Sequence, residues 1–218
     1  MKTSLKQKDL VSYVASQIKA FFPDGSTVKK ACLQACVGRA LERLEHCLSK
    51  IAHKYSRQGQ DVLFDHLNGD QYAAFLYFLN NEVTRKAFDV RLCSKIYLLN
   101  KALHGLDLFY EVQLPDIFSL THPLGTVLGR ATYADYLLVY QGCNVGSNKN
   151  IYPVLGEYVC LHPGSSVLGN CHVGNNCRIA AGSLLLDQDL ADDSVYIGSP
   201  RQHLIKRVAE RHPLWQKA

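Results

Sequence analysis

The sequence predicts an α+β fold in which a helical amino-terminal half is followed by a parallel β-helix of hexapeptide repeats. Three observations predict it. Apolar residues recur at helical spacing as far as about residue 103, a bulky residue recurs at every sixth position between Thr121 and Leu186, and the two patterns do not overlap.

The helical half comes first in the chain. Leu10, Val11, Val14 and Ile18 fall on one face of a helix from about residue 6 to residue 20, which the Pro and Gly of FFPDGS (residues 21–26) bring to an end. Ser26 or Thr27 is placed to cap a second helix, with Cys36, Ala40, Leu44, Leu48 and Ile51 carrying its pattern to about residue 54. SRQGQD (56–61) reads as a loop. A third helix over about 71–86 carries the apolar run AAFLYFL, and a fourth over about 90–103 carries Leu92, Ile96 and Leu99. HGLDLFYEVQLPDI then leads out as an extended segment.

The repeat follows. Its bulky positions are Thr121, Val127, Tyr133, Val139 and Val145 and, after a four-residue interruption, Leu155, Leu161, Val167, Val173, Ile179 and Leu185. Four places after most of them stands a small residue, among them Gly125, Cys143, Ser165, Cys171 and Cys177. A period of six is neither a helix nor a plain strand alternation. Each hexad supplies a short strand and a turn, three hexads close a triangular coil, and coils stack so that backbone groups pair above and below. Gly129, Gly146, Gly156, Gly169, Gly174 and the neighbouring Asn170, Asn175 and Asn176 are assigned to corners that need positive φ. After Leu186 the Asp-rich segment leaves the hexad pattern, a strand over 195–198 closes the coil, and an exposed tail follows in which VAERHPLWQKA reads as a short helix. The organisation is thus residues 1–110 helical, 111–200 β-helix and 201–218 tail.

The segment LGEYVCLHPGSSVLGNCHVGNNCRIAAGSLLL (155–186) with IGSPRQHLIK (197–206), THPLGTVLGR (121–130) and VYQGCNVGS (139–147) resembles the carboxy-terminal half of serine acetyltransferases and related hexapeptide-repeat acyltransferases. The resemblance implies a left-handed β-helix, a homotrimer or dimer of trimers, and acetyl-CoA as co-substrate. It also assigns donor contacts by position. Gly146 and Ser147 match the segment near the thioester, Pro163 and Ala181 match residues flanking pantetheine, and Lys206 matches a basic residue near the CoA phosphates.

Composition narrows the function. The chain has 218 residues, 47% of them apolar, and a net charge of +5, without the basic runs interleaved with aromatics that a nucleic-acid surface needs. No apolar run approaches a membrane span and MKTSLKQKDL lacks an apolar signal core, so a cytoplasmic location is expected. Eight cysteines occur without a CxxC pair, and those in the repeat read as small buried residues.

Acyl transfer from a thioester to a hydroxyl needs a base, oxyanion donors and a slot for pantetheine. Histidine is the base suited to neutral pH. With three hexads to a coil, His122, Tyr140, His162 and Ala180 fall at equivalent outward positions, so His122 and His162 are the catalytic candidates, with Asp135 or a neighbouring tyrosine orienting the acceptor and backbone amides near Gly146 serving the oxyanion. The alternative is that each histidine is merely a corner residue before Pro123 or Pro163. The family's two histidines are matched by Tyr136 and Tyr152, and its early aspartate by Leu120. The expected function is an acetyl-CoA-dependent O-acetyltransferase of serine acetyltransferase type acting on a small hydroxylated acceptor. The alternatives are a sugar or nucleotide-sugar acetyltransferase and a noncatalytic trimeric scaffold. A metal-dependent enzyme is disfavoured because His122 and His162, two coils apart, stand about 10 Å from each other.

Overall fold

The structure, a computed structural model, describes residues 1–86, 89–208 and 210–216. Its amino-terminal half holds β1 (Lys2–Thr3), α1 (Gln7–Phe21), α2 (Lys30–Ser49), β2 (Arg57–Gln58), β3 (Asp61–Phe64), α3 (Gly69–Lys86) and α4 (Val90–His104). All four predicted helices are present. The second starts later than the sequence suggests because Ser26 is occupied elsewhere. Lys95 Nζ donates to Asp24 Oδ1 at 2.7 Å and to Ser26 Oγ at 2.6 Å, which holds the 22–28 turn away from the helix start. SRQGQD is not a plain loop. It forms the β2–β3 hairpin, closed at Gly59 (φ +65°), and β3 also pairs in parallel with β1.

Helix α3 is the centre of this half: every residue from Gln71 to Val83 is buried. An amphipathic helix has one polar face. Here the remaining faces are covered by α2, α4 and the β-helix, so even Glu82 is inside. It is compensated by Arg43, whose Nη1 lies 3.0 Å from Glu82 Oε1 and 2.7 Å from Asn81 Oδ1, with the guanidinium 4.7 Å from the centre of the Phe78 ring. Removing one partner of such a pair leaves an uncompensated charge and is strongly destabilising.

The second half begins with β4 (Asp107–Leu108) and then winds. In chain order the strands are β5 (Phe118–Leu120), β6 (Val127–Leu128), β7 (Thr132–Tyr133), β8 (Leu137–Val139), β9 (Asn144–Gly146), β10 (Val154–Leu155), β11 (Cys160–Leu161), β12 (Ser166–Leu168), β13 (His172–Val173), β14 (Arg178–Ile179), β15 (Leu184–Leu186), β16 (Ser194–Ser199) and β17 (Gln202–Arg207). From β5 to β15 every third strand is a neighbour, with β4 added beside β6 and β16 beside β14, and three parallel sheets result: β5-β8-β11-β14-β16, which we term the first face, β4-β6-β9-β12-β15, the second, and β7-β10-β13, the third. Val139, Leu161, Ile179, Val145, Val167 and Leu185 point inward and are fully buried. Cys143, Cys171 and Cys177 occupy small inward positions and are buried too.

Three details differ from the hexad reading. In the first coil the inward residues are Leu120 and Leu128, not Thr121 and Val127, because Leu120 pairs with Val139 and Leu128 with Val145. The turn between them is two residues longer than the Val139–Val145 turn, and Thr126, in line with Cys143, fills the small inward position. Positive φ is also placed differently. Of the assigned residues only Gly169 and Asn176 adopt it, and the stacked corners use Gly125, Gly142, Gly164 and Gly182 between the first and second faces, with Tyr136, Tyr158, Asn176 and Asp193 between the third and first. Gly156 and Gly174 serve close approach instead: a Cβ on either would come within 3 Å of the coil above.

The tail is not a helix over its described residues. The chain turns after Ser199, and β17 runs back antiparallel to β16. Residues 210–216 then cross the first face as a strap that turns at Pro213 and Leu214, where Trp215 N–H donates to His212 O at 3.2 Å. Arg178 Nη2 donates to Glu210 O at 2.6 Å, the Arg211 guanidinium lies 4.0 Å from the centre of the Tyr158 ring, and Trp215 packs edge-on against Tyr136, which itself stacks on Tyr158 at 4.2 Å. The strap ends on the helical half, where Ala52 N–H donates to Leu214 O and Gln216 N–H to Lys50 O.

Candidate active site

The long first-coil turn delivers His122 to the helical half. Strand β5 packs on α3 through Phe118, whose ring lies 5.2 Å from that of Phe78 and whose carbonyl accepts from Cys47 Sγ. Two residues past β5, His122 adopts the left-handed conformation (φ +50°), a strained choice for a non-glycine residue. A partner holds it there. The His122 backbone N–H donates to Asp70 Oδ1 at 2.9 Å, and the imidazole Nδ1 lies 3.8 Å from the same oxygen. Asp70 is in the first turn of α3, where a carboxylate is favoured by the free amide groups of the helix start. Burial raises the Asp70 carboxyl above its ordinary value, opposed by the His122 N–H and by the imidazole charge.

Asp70 and His122 sit on a cavity of about 510 Å³ between the two halves, a size typical of small-molecule sites. Its floor is apolar, from Cys47, Leu48, Phe118 and Leu120; Leu214 of the strap forms one wall, and His53, Tyr55 and Tyr140 stand at the rim. The His122 side chain is 79% exposed, so its distal nitrogen is open to solvent. A carboxylate beside one nitrogen of an accessible imidazole can hold the ring so that the other nitrogen takes a proton.

His162 lies further along the same corner. It stacks in parallel on Tyr140, ring centres 5.7 Å apart, and its other neighbour is His212 of the strap at 6.4 Å. Burial, then the nearby Arg178 charge, push His162 below the ordinary histidine value, and the same two causes with His162 itself depress His212. The expected column of His122, Tyr140, His162 and Ala180 is therefore corrected. With Leu120 opposite Val139, Thr121 is the residue in line with Tyr140, and His122 is displaced from the column toward Asp70.

Asp135 lies at the other corner of the first face, where its Oδ1 accepts from the Ile117 backbone N–H at 2.9 Å and fixes the entry into β5. Pro163 and Ala181 are stacked neighbours, linked by Gly182 N–H to Pro163 O at 2.9 Å. Gly146 ends β9 and Ser147 follows it, at the opposite corner of the second face, while Lys206 projects from the exposed hairpin strand β17. One chain thus gathers His122 with the cavity and leaves the matched donor positions in three separate places. Sequence reasoning missed Asp70 and the strap, since an acid in the first turn of a helix is an ordinary sight and nothing in the sequence tells it from a surface residue. Among the described residues no group of three or more His, Cys, Asp or Glu converges as metal ligands, and no helix is long and apolar enough to cross a membrane.

Residues 152–187 match the family model for the bacterial transferase hexapeptide (six repeats). A serine acetyltransferase of Synechococcus elongatus is 33% identical over 122 residues, covering 53% of this chain and 49% of the relative, and one of Staphylococcus epidermidis is 26% identical over 118 residues, covering 52% and 54%. The chain spans about half the length of the curated relatives it matches. Among solved structures, serine acetyltransferase of Brucella abortus in complex with coenzyme A superposes with a TM-score of 0.72 at 20% identity, covering 96% of this chain and 85% of that one. The Neisseria gonorrhoeae enzyme gives 0.69 at 19% over 94% and 80%. The fold, helical half included, is that of the serine acetyltransferases.

Proposed function

We propose that this protein is an acetyl-CoA-dependent O-acetyltransferase of serine acetyltransferase type, with His122 as the general base. The observation that carries the proposal is the Asp70–His122 pair at the mouth of a cavity built by both halves of the fold. In the proposed reaction the distal His122 nitrogen takes the acceptor hydroxyl proton as the oxygen attacks the thioester carbonyl. The tetrahedral intermediate then expels the CoA sulfur, the C–S bond breaks, and the proton passes to the leaving thiolate. Asp70 is a positioning residue that favours the imidazolium formed between these steps, a role the proposal gives to it and not to Asp135. The relatives are named for serine acetylation and one solved neighbour binds coenzyme A, which supports the donor and a small hydroxylated acceptor here.

The donor contacts proposed are Gly146 and Ser147 near the thioester, Pro163 and Ala181 along pantetheine, and Lys206 with its neighbours on β17 toward the phosphates. They belong to one site only if chains associate, and we propose a homotrimer that brings one chain's second-face corner to another's. Apolar residues on the outer surface of the β-helix support this: Val127, Ile151 and Val154 are 41%, 48% and 37% exposed. A cytoplasmic location is proposed on the eight unpaired cysteines. The domain scheme proposed is a helical unit, a β-helix and a tail (201–218), with the expected boundary at residue 110 moved back ahead of β4, because Asp107–Leu108 pairs with Val127–Leu128 in the second face. The test is release of CoA thiol from acetyl-CoA with L-serine and with uncharged hydroxyl compounds. Acceptor-dependent release by the wild type and its loss in His122→Ala are expected; acetyl-CoA that neither binds nor turns over would refute the proposal.

A further inference from the structure

Taking the cavity beside His122 as the acceptor site of the proposed transfer, we propose that the carboxy-terminal strap positions that site, with Leu214 as its wall and Trp215 as the latch that holds its rim. The strap is a built part of the fold. On a bare β-helix the residues that alternate with the inward ones face solvent. Leu138 and Cys160 alternate with the inward Val139 and Leu161, yet both are buried. Their neighbours are the residues the strap meets. Cys160 is ringed by Tyr158, His162 and Arg178, which contact Arg211, His212 and the Glu210 carbonyl, and Leu138 lies two residues past Tyr136, which packs on Trp215.

Beyond this face the strap reaches residues 50–56, the connection between α2 and β2, which places His53, Tyr55 and Ser56 on the cavity. Ala52 N–H donates to Leu214 O at 2.7 Å, and Gln216 N–H donates to Lys50 O at 2.9 Å. These two bonds flank Ile51, which pairs with Trp215, and both residues are only 5% exposed. The indole N–H of Trp215 is buried with no acceptor among the described residues, an unfavourable state for a polar group. The ring itself is therefore what the position uses, through its seat opposite Ile51 and its edge against Tyr136 at 5.5 Å. Releasing the latch frees the wall and the rim together. The Asp70–His122 pair stays, because α3 and the first-coil turn hold it. The acceptor then loses a preformed cavity while the proton-accepting group is kept, and a loss of that kind appears in KM before kcat.

The experiment compares the full chain with Trp215→Ala, Trp215→Phe and Leu214→Ala, by acetyl transfer from acetyl-CoA to L-serine and by hydrogen exchange of backbone amides. In Trp215→Ala the KM for L-serine is expected to rise about tenfold, with kcat and the KM for acetyl-CoA within about threefold of wild type. Amide exchange should accelerate over residues 50–56 and not in α3 or β11. Trp215→Phe keeps a ring without the unpaired N–H and should restore both readings. Leu214→Ala should raise the KM for L-serine by about threefold and leave exchange over 50–56 unchanged. The inference is overturned if Trp215→Ala leaves KM flat, lowers kcat in its place, speeds the reaction, or accelerates exchange equally in α3. Should Trp215→Ala not fold, Leu214→Ala decides, and a flat KM for L-serine there is equally fatal. A wild type that neither binds nor turns over acetyl-CoA would refute the proposed function instead, and the exchange pattern would still decide on the strap.

Discussion

Coils two to four and the first coil are built from one repeat and do different work. From Val139 onward the strands stack in strict register, Val139 over Leu161 over Ile179 on the first face and Val145 over Val167 over Leu185 on the second. In the first coil the register breaks: Leu120 to Leu128 spans eight residues where Val139 to Val145 spans six, and the extra length throws His122 outward onto α3. Periodicity supplies a regular column, and the departure from it supplies, among the described residues, the one contact in which a histidine of the β-helix meets a carboxylate of the helical half. The proposed site sits where the repeat is violated and backbone strain is tolerated, and the regular coils are its scaffold.

The contrast can be broken at its regular side first. Leu161 is fully buried in the third coil, so Leu161→Ala is expected to cost about 2–5 kcal/mol by loss of transfer energy and by the cavity left behind. Urea unfolding measures that loss, while the acetyl-transfer rate per folded molecule should stay within about twofold of wild type. A large loss of specific activity without loss of stability would mean that the column itself takes part in catalysis.

Asp70→Asn probes the irregular side more finely. The amide keeps an oxygen for the His122 N–H and gives up the charge, so kcat is expected to fall about tenfold, equivalent to about 1.4 kcal/mol, with KM little changed. Because burial raises the Asp70 carboxyl, neutralising it relieves a desolvation cost, and the melting temperature should hold or rise. A merely structural Asp70 would instead lower the melting temperature and leave the acidic limb of the kcat profile in place.

The smallest effect expected concerns pH. His162 and His212 are held below the ordinary value chiefly by burial, so their neutral forms are favoured in the folded chain. As pH falls from about 6.5 toward their folded values the unfolded chain binds more protons, and stability drops. Thermal melts at pH 8 and pH 5.5 should differ in that direction, and the difference should shrink in His162→Phe. An undiminished difference in that variant would remove the His162–His212 pair as its source.

Much of this molecule was legible in its sequence, for a physical reason. Helical spacing and the six-residue period are local patterns, and they fix four helices, the inward residues of coils two to four and the buried cysteines. What escaped depends on contacts between distant residues. Asp70 and His122 are 52 positions apart, Lys95 takes Ser26 out of its capping role across 69, and Trp215 reaches Ile51 from the other end of the chain. The first-coil shift escaped because Thr121 and Val127 satisfy a hexad pattern as well as Leu120 and Leu128 do, and only pairing with the next coil decides between them. His122 was singled out as a histidine in a stacked column that the register does not keep, and the carboxylate beside it carried no local signal.

The central claim, that catalysis sits at the violated repeat and not on the regular column, is tested most directly by comparing acetyl-CoA thiol release in His122→Ala and His162→Ala. The account predicts a loss of about 10²- to 10⁴-fold for His122→Ala, the span usual for a general base, with acetyl-CoA binding retained, and less than about a threefold change for His162→Ala. Full activity in His122→Ala, or a collapse confined to His162→Ala, would contradict it.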